Sequence, residues 1–300
     1  PRMSRMDRKQ FLLSLTALPL TGMAMKLNDL ATLGAQFHRS ERMPVLFLGH
    51  GSPMNAIEEN EFVAGFRTIG STLPRPQAIL VVSAHWETRG TLVTAMEHPR
   101  TIHDFGGFPQ ALFDVQYPAP GSPALAEEVK RTITGTPVGL DHGWGLDHGA
   151  WSVVKHLYPN ADVPVIQMSI DRTITPEKHY ALGKELAALR EKGVLIIGSG
   201  NMVHNLGLVA WDRLNEVHAF DWAQDASDRM KRAITTGDHK PLIEFHKQGP
   251  AFDLAINSSE HFLPLLYALA LQGKDERTVL FNDKALAGSL TMTSVLITKA

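Results

Sequence analysis

From Met43 onward, short aliphatic runs alternate with longer helical stretches, and this pattern predicts an α/β fold. The expected architecture is a single-domain sandwich: a central sheet, mostly parallel or mixed, with helices on both faces. Two observations support it. No linker, internal repeat or low-complexity tract divides residues 43–300, and the chain is 44% hydrophobic and 20% charged, a balance that fits a sizeable core.

The elements follow in order. Strands are expected at Val45–Leu48, Ala78–Ser83, Thr91–Met96, Val163–Ile170, Val194–Ile197, Thr278–Phe281 and Leu290–Ile297. Helices are expected at Ala56–Ser71, Pro123–Thr134, Gly149–Leu157, Pro176–Lys192, Phe220–Thr235, Pro241–Lys247 and Glu260–Gln272. Ser122 before Pro123 and Thr175 before Pro176 read as N-caps followed by an N1 proline. Gly193 reads as the glycine that ends the helix before it.

Residues 1–42 read as a separate leader or signal-like segment. A basic start at Arg8-Lys9 and a short apolar run to about Met25 suggest an export signal. Pro19 interrupts the run and no A-x-A site follows, so an amphipathic leader helix stands as an equal alternative. A cytoplasmic location is expected, with export as the alternative. No other stretch is apolar for about 18 residues, so neither a membrane span nor a membrane partner is expected.

The charge balance, 29 Lys+Arg against 31 Asp+Glu, argues against a nucleic-acid partner held by a basic surface. The chain has no cysteine, which excludes disulfides, iron–sulfur clusters and thiol nucleophiles. It has 14 histidines, so a transition-metal site must be built from imidazole and carboxylate.

Three aliphatic runs lead into a histidine: His50 after Gly49, His85 after Ser83-Ala84, and His204 after Gly198-Ser199-Gly200-Asn201. In α/β sheets, ligands bind beyond the carboxyl ends of strands, and parallel neighbours bring those ends together. A capping or packing role suits any one of these histidines, but three at one sheet edge point to a metal. His261 follows Ser259-Glu260, where Ser259 as N-cap puts both Glu260 and His261 in a first helical turn. An acid there complements the helix dipole, so His261 is the preferred ligand, with Glu260 held open. In the glycine- and tryptophan-rich segment 141–151, Asp147 reads as an N-cap and His148 as a base at a helix start. The aromatic stretch His103-Asp104-Phe105-Gly106-Gly107-Phe108-Pro109 reads as a lid or a packed turn. Metalloprotease, nucleophile-elbow, P-loop and dinucleotide fingerprints are absent.

Several of these segments together resemble the DODA-type extradiol aromatic ring-opening dioxygenases, the LigB-like class III enzymes. The resemblance rests on Phe47–Asn55, Ser83–Trp86, Ile102–Pro109, Tyr117–Pro123, Gly145–Gly149, Ser199–Asn205 and Glu260–Leu265, and covers residues 43–300. It implies a LigB-like fold and a single metal near His50, His85, His204 and His261. It also implies cleavage of a catechol such as L-DOPA by O₂, next to rather than between the hydroxyls. Fe(II) is then the expected catalytic metal, with Zn²⁺ expected in the purified protein. His148 and His204 are the expected acid–base residues, and Phe105, Phe108 and Trp86 are expected to pack on the substrate ring. The competing reading is a zinc hydrolase on the same histidines, where metal would lower the pKa of a bound water. A binding protein without chemistry is the third. Oligomeric state is left open.

Overall fold

The computed structural model describes residues 40–300 apart from Asn215, so the leader reading of residues 1–39 falls outside the described residues. Residues Arg39–Ala300 form one compact unit. Its centre is an eight-stranded mixed sheet made of β1 (Val45–Gly49), β2 (Ala78–Thr88), β3 (Thr91–Thr94), β4 (Val138–Asp141), β5 (Val165–Asp171), β6 (Val194–Gly200), β7 (Glu276–Phe281) and β10 (Ser294–Lys299). The strand order is β4-β3-β5-β2-β6-β1-β10-β7. The middle four, β5-β2-β6-β1, are mutually parallel, while β10 runs antiparallel to both β1 and β7. A small hairpin, β8 (Ala285–Leu286) with β9 (Leu290–Thr291), stands apart from this sheet.

Strands β1, β5 and β6 are buried along their whole length and β2 is buried from Ala78 to Ala84, as expected where both sheet faces are covered. On one face Leu46, Leu48, Ile79, Val81, Leu195 and Ile197 pack against α1 (Glu61–Thr72) and α4 (His148–Leu157), around the fully buried Trp151. On the other face α10 (Leu263–Ala270) lies across β6, β1 and β2, and α5 (Pro176–Glu185) packs on α10. Between these in the chain lie α2 (Gln110–Phe113), α3 (Pro123–Thr132), α6 (Ala187–Arg190), α7 (Asp221–Thr236), α8 (Lys240–Ile243) and α9 (Pro250–Ala255). Ser122 caps α3 by accepting from the Leu125 amide, and Thr175 caps α5 by accepting from Lys178. Gly193 takes φ +71 past α6, a conformation that glycine adopts without a Cβ clash.

Several expectations change. Strand β2 does not stop at Ser83 but runs to Thr88, with its register against β5 shifting between Val82 and Glu87. His85 therefore sits in the irregular part of a strand, where a bulge re-aims side chains. The helix expected from Glu260 begins at Leu263, because Ser259 accepts backbone bonds from Phe262 and Leu263 in a preceding turn that holds Glu260 and His261. The strand expected at Leu290–Ile297 is broken after Thr291, where the chain bonds back to the 201–203 loop through the Asn201 side chain and the Val203 amide. The short β4 carries too few residues to show a period.

The α5–α10 contact holds a buried histidine. His179 Nδ1 lies 2.9 Å from the Tyr267 hydroxyl, and burial pushes its pKa down to about 4. The unfolded histidine titrates near 6.5, so below that pH the unfolded chain takes a proton that the folded one refuses. Stability should fall as pH drops from about 6.5 to about 4, by on the order of 2 kcal/mol from this group. Denaturant titrations at about pH 7 and about pH 4.5 test it, with His179→Gln expected to show a shallower decline than wild type. An equal decline in both would remove His179 from the account.

Candidate metal centre

Five histidines meet at the carboxyl ends of the central strands. His50 follows β1, His85 lies late in β2, His148 opens α4, His204 follows β6, and His261 precedes α10. The ring centroids of His50, His85 and His261 form a near-equilateral triangle of 5.0, 5.0 and 5.4 Å. His148 flanks it beside His85 at 3.8 Å, and His204 flanks it on the other side, stacked on His261 at 3.6 Å. Two groups have ligand atoms within 4.8 Å of one another: His50, His85 and His148, and His204, Glu260 and His261.

Close backbone approaches make this convergence possible. A Cβ on Gly200 would stand 2.0 Å from the His261 carbonyl oxygen, so glycine is required where the His261 turn crosses β6. The Asn201 amide donates to that same carbonyl at 2.9 Å. Gly149 plays the matching part on the opposite face, where a Cβ would come within 2.8 Å of the His85 ring. Asp147 locks α4 in place by accepting from Ser83 Oγ, Gln167 Nε2 and the Ala150 amide, which joins β2, β5 and the helix start. Burial pushes the Asp147 carboxyl up.

Hydrogen bonding then fixes which ring edge each histidine presents. Ser199 Oγ donates to the Gly149 carbonyl, so it can only accept from His50 Nδ1, 3.0 Å away. That places the His50 proton on Nδ1 and a lone pair on Nε2. Glu260 Oε1 does the same for His261 Nδ1 at 3.0 Å, and Asp104 Oδ2 faces His85 Nδ1 at 3.6 Å. A carboxylate or an engaged hydroxyl oxygen here only accepts, so His50 and His261 turn an unprotonated Nε2 inward, while Asp104 lies beyond hydrogen-bond distance of His85 Nδ1. His50 Nε2 and His85 Nε2 stand 3.1 Å apart. At that distance His85 Nε2 can donate to the His50 lone pair, and 3.1 Å is also close to the separation of two imidazole nitrogens about 2.1 Å from one metal.

The electrostatics agree. Burial, reinforced by the neighbouring imidazoles, pushes the pKa of His50 and of His85 down, and burial takes His204 down to about 3. These rings stay neutral at pH 7, the state that binds metal. Burial pushes the Glu260 carboxyl up, but the bonds from His261 and Ser258 outweigh it and hold the group at about 2. Asp104 behaves alike: burial raises it, while contacts with His148 and then His85 bring it below the usual carboxylate range.

All five sequence-nominated histidines reach the site. The others lie elsewhere where described: His156 bonds the Asn55 carbonyl, His103 the Val115 carbonyl, and His239 the Tyr180 hydroxyl. Phe105 stands edge-on to His148 at 5.5 Å with Phe108 and Phe113 behind it, so the 103–109 segment does wall the site. Trp86 does not. Strand alternation turns it away from His85, and it is buried and stacked on Trp144. Sequence reasoning missed two residues. Ser199 was within reach, since it shares a strand face with Ile197; Asp104 carried no spacing signal.

The family model for the catalytic LigB subunit of aromatic ring-opening dioxygenase matches residues 44–295. The chain belongs to the LigB family. Among its relatives, the 4,5-DOPA dioxygenase extradiol of Escherichia coli K12 is 48% identical over 264 residues, which span 86% of this chain and 96% of the relative. The protein of that name from Beta vulgaris is 36% identical over 269 residues, 84% and 95% of the two chains. A crystal structure of an uncharacterized E. coli K12 protein superposes with a TM-score of 0.74 at 42% identity, covering 86% of this chain and 100% of that one. LigB extradiol dioxygenases depend on a metal, and the inward-facing imidazoles suit one. Among the described residues, no helix is long and apolar enough to cross a membrane.

Outer-shell bonds to ligating histidines are worth roughly 10–100-fold in metal affinity. Ser199→Ala frees His50 Nδ1 and should weaken Zn²⁺ binding by about that factor in a calorimetric titration. Unchanged affinity in the folded variant would deny Ser199 this role.

Proposed function

We propose that this protein is a metal-dependent extradiol dioxygenase that opens the ring of a catechol with O₂, with L-DOPA among its substrates. Family membership supports ring opening, and the names of the relatives support the extradiol position and the DOPA-like substrate. The observation that carries the reading is the triangle of His50, His85 and His261, with three Nδ1 edges facing oxygens of Ser199, Asp104 and Glu260. We assign these three as the metal ligands. His204, stacked on His261, is the fourth imidazole within reach, as ligand or as proton carrier. Fe(II) is the proposed catalytic metal, and Zn²⁺ suits the same donors. When bound, Fe(II) supplies the Lewis acidity and the electron needed for O₂ chemistry.

The chain's own residues do the rest. His148 stands at the rim beside His85 and takes the proton from a catechol hydroxyl, leaving the electron pair on that oxygen. The Phe105 ring next to it offers an apolar wall for the aromatic substrate. His204, neutral at pH 7, accepts or returns a proton on the far side of the triangle. The net charge of -2 supports a small-molecule substrate rather than a polyanion. A chain without cysteine suits the cytoplasm, which is the location we propose. The zinc-hydrolase alternative has no support from the family match or the relatives.

Oxygen uptake tests the proposal. Protein loaded anaerobically with Fe(II) should consume O₂ with L-DOPA or another catechol and form a ring-opened semialdehyde, yellow for DOPA. Zn²⁺ in place of Fe(II) should abolish turnover. No uptake across a catechol panel, with iron bound, would sink the reading.

A further inference from the structure

We propose that Asp104 is a positioning residue for the reaction, holding His148 in the tautomer that can accept a proton from substrate. This inference rests on the dioxygenase reading above. Asp104 belongs to the aromatic segment, not to the histidine set, and its side chain is only 18% exposed. Its two oxygens are both engaged by the start of α4. Oδ1 accepts from the His148 amide at 2.9 Å, and Oδ2 stands 3.0 Å from His148 Nδ1. The second contact is close but not aligned with the ring N–H. Catalytic contacts of this kind often tighten only when substrate is bound.

The chemistry follows from what a carboxylate can do. It accepts hydrogen bonds and does not donate, so the Nδ1 edge that faces it carries the proton. His148 Nε2, on the far edge of the ring, is then the free lone pair. When that nitrogen takes the catechol proton, a new N–H bond forms, the O–H electrons stay on the catechol oxygen, and the ring becomes an imidazolium. The Asp104 charge faces this cation directly, so the carboxylate also stabilises the state formed by the transfer. A wrong tautomer presents Nε2–H to the substrate and cannot act as base. The same carboxylate faces His85 Nδ1 at 3.6 Å, so it has a second possible duty in supporting a metal ligand. The shorter distance and the amide bond both favour His148 as its main partner.

The experiment separates these duties. Steady-state kinetics on iron-loaded protein compare wild type, Asp104→Asn, Asp104→Glu, His148→Ala and the double variant Asp104→Asn/His148→Ala, with bound iron measured for each. Asp104→Asn should lower kcat by on the order of 10²-fold or more, with KM and iron content near wild type. Asp104→Glu should recover most of the loss. In the His148→Ala background, Asp104→Asn should cost almost nothing further, because a residue acting through another loses its effect when that other is gone. Additive losses, or a loss of iron that tracks the loss of rate, would overturn the proposal. A reading free of variants' folding comes from histidine-selective ¹⁵N spectra of Zn²⁺-loaded wild type, with the His148 signals identified by difference. They should show Nδ1 protonated and Nε2 bare; Nε2–H would equally overturn it. If wild type cleaves no catechol, the dioxygenase reading fails, and the spectra still decide the tautomer independently.

Discussion

The arrangement depends on one constraint: buried, uncharged histidine rings that face one another through their Nε2 edges. His50 Nε2 and His85 Nε2 lie 3.1 Å apart, within reach of one shared proton or of one metal ion. In water each ring would simply be hydrated, but His50 is almost fully buried and its charged form is disfavoured. Burial and crowding thus disfavour the charged imidazolium and keep ring nitrogens available to a metal cation. The residues around the rings hold that convergent geometry in place. Asp147 joins three elements behind His85, Ser199 joins β6 to α4 behind His50, and the Gly200 crossing seats His261.

This support is expensive in sequence terms, and it explains where small and polar residues lie. Ser83 and Ser199 are fully buried yet bonded, each serving a ligand-bearing strand end. Asp147 is a buried carboxylate that receives three donors, so it is a helix cap and a structural clamp together. Breaking such a network by removing one partner strands the others, at about 1–3 kcal/mol for each buried group left unpaired. The scaffold beneath, four parallel strands buried on both faces, is rigid enough to hold the rings through those bonds.

Much of the fold and of the site was legible in the chain. The strand–helix alternation gave the mixed sheet and its central strands, since buried parallel strands read as continuous aliphatic runs. His50, His85 and His204 stood out because each follows such a run, and the topology places those ends side by side. Less legible were features set by tertiary bonds. The extension of β2 through His85 depends on pairing with β5. The start of α10 depends on a turn held by Ser259. Trp86 looked like a substrate wall because it adjoins His85, but alternation puts neighbours in a strand on opposite faces. Asp104 is 44 residues from His148, and no local pattern reports that pairing.

The two flanks of the triangle differ in a way that divides the chemistry between them. On the His148 side, the carboxylate is a separate residue on an aromatic segment, and the rings there meet edge-on or tilted. On the His204 side, the ring lies flat on His261, with an interplanar angle of 7°, and the nearest carboxylate already serves His261. A ring backed by its own carboxylate can accept a proton and have the new charge compensated at once. A ring stacked on a proposed ligand has no such partner, and burial already holds its pKa near 3. Proton abstraction therefore belongs on the His148 side. The His204 side, where a gained proton is held weakly, suits the return of a proton to substrate or a fourth bond to the metal.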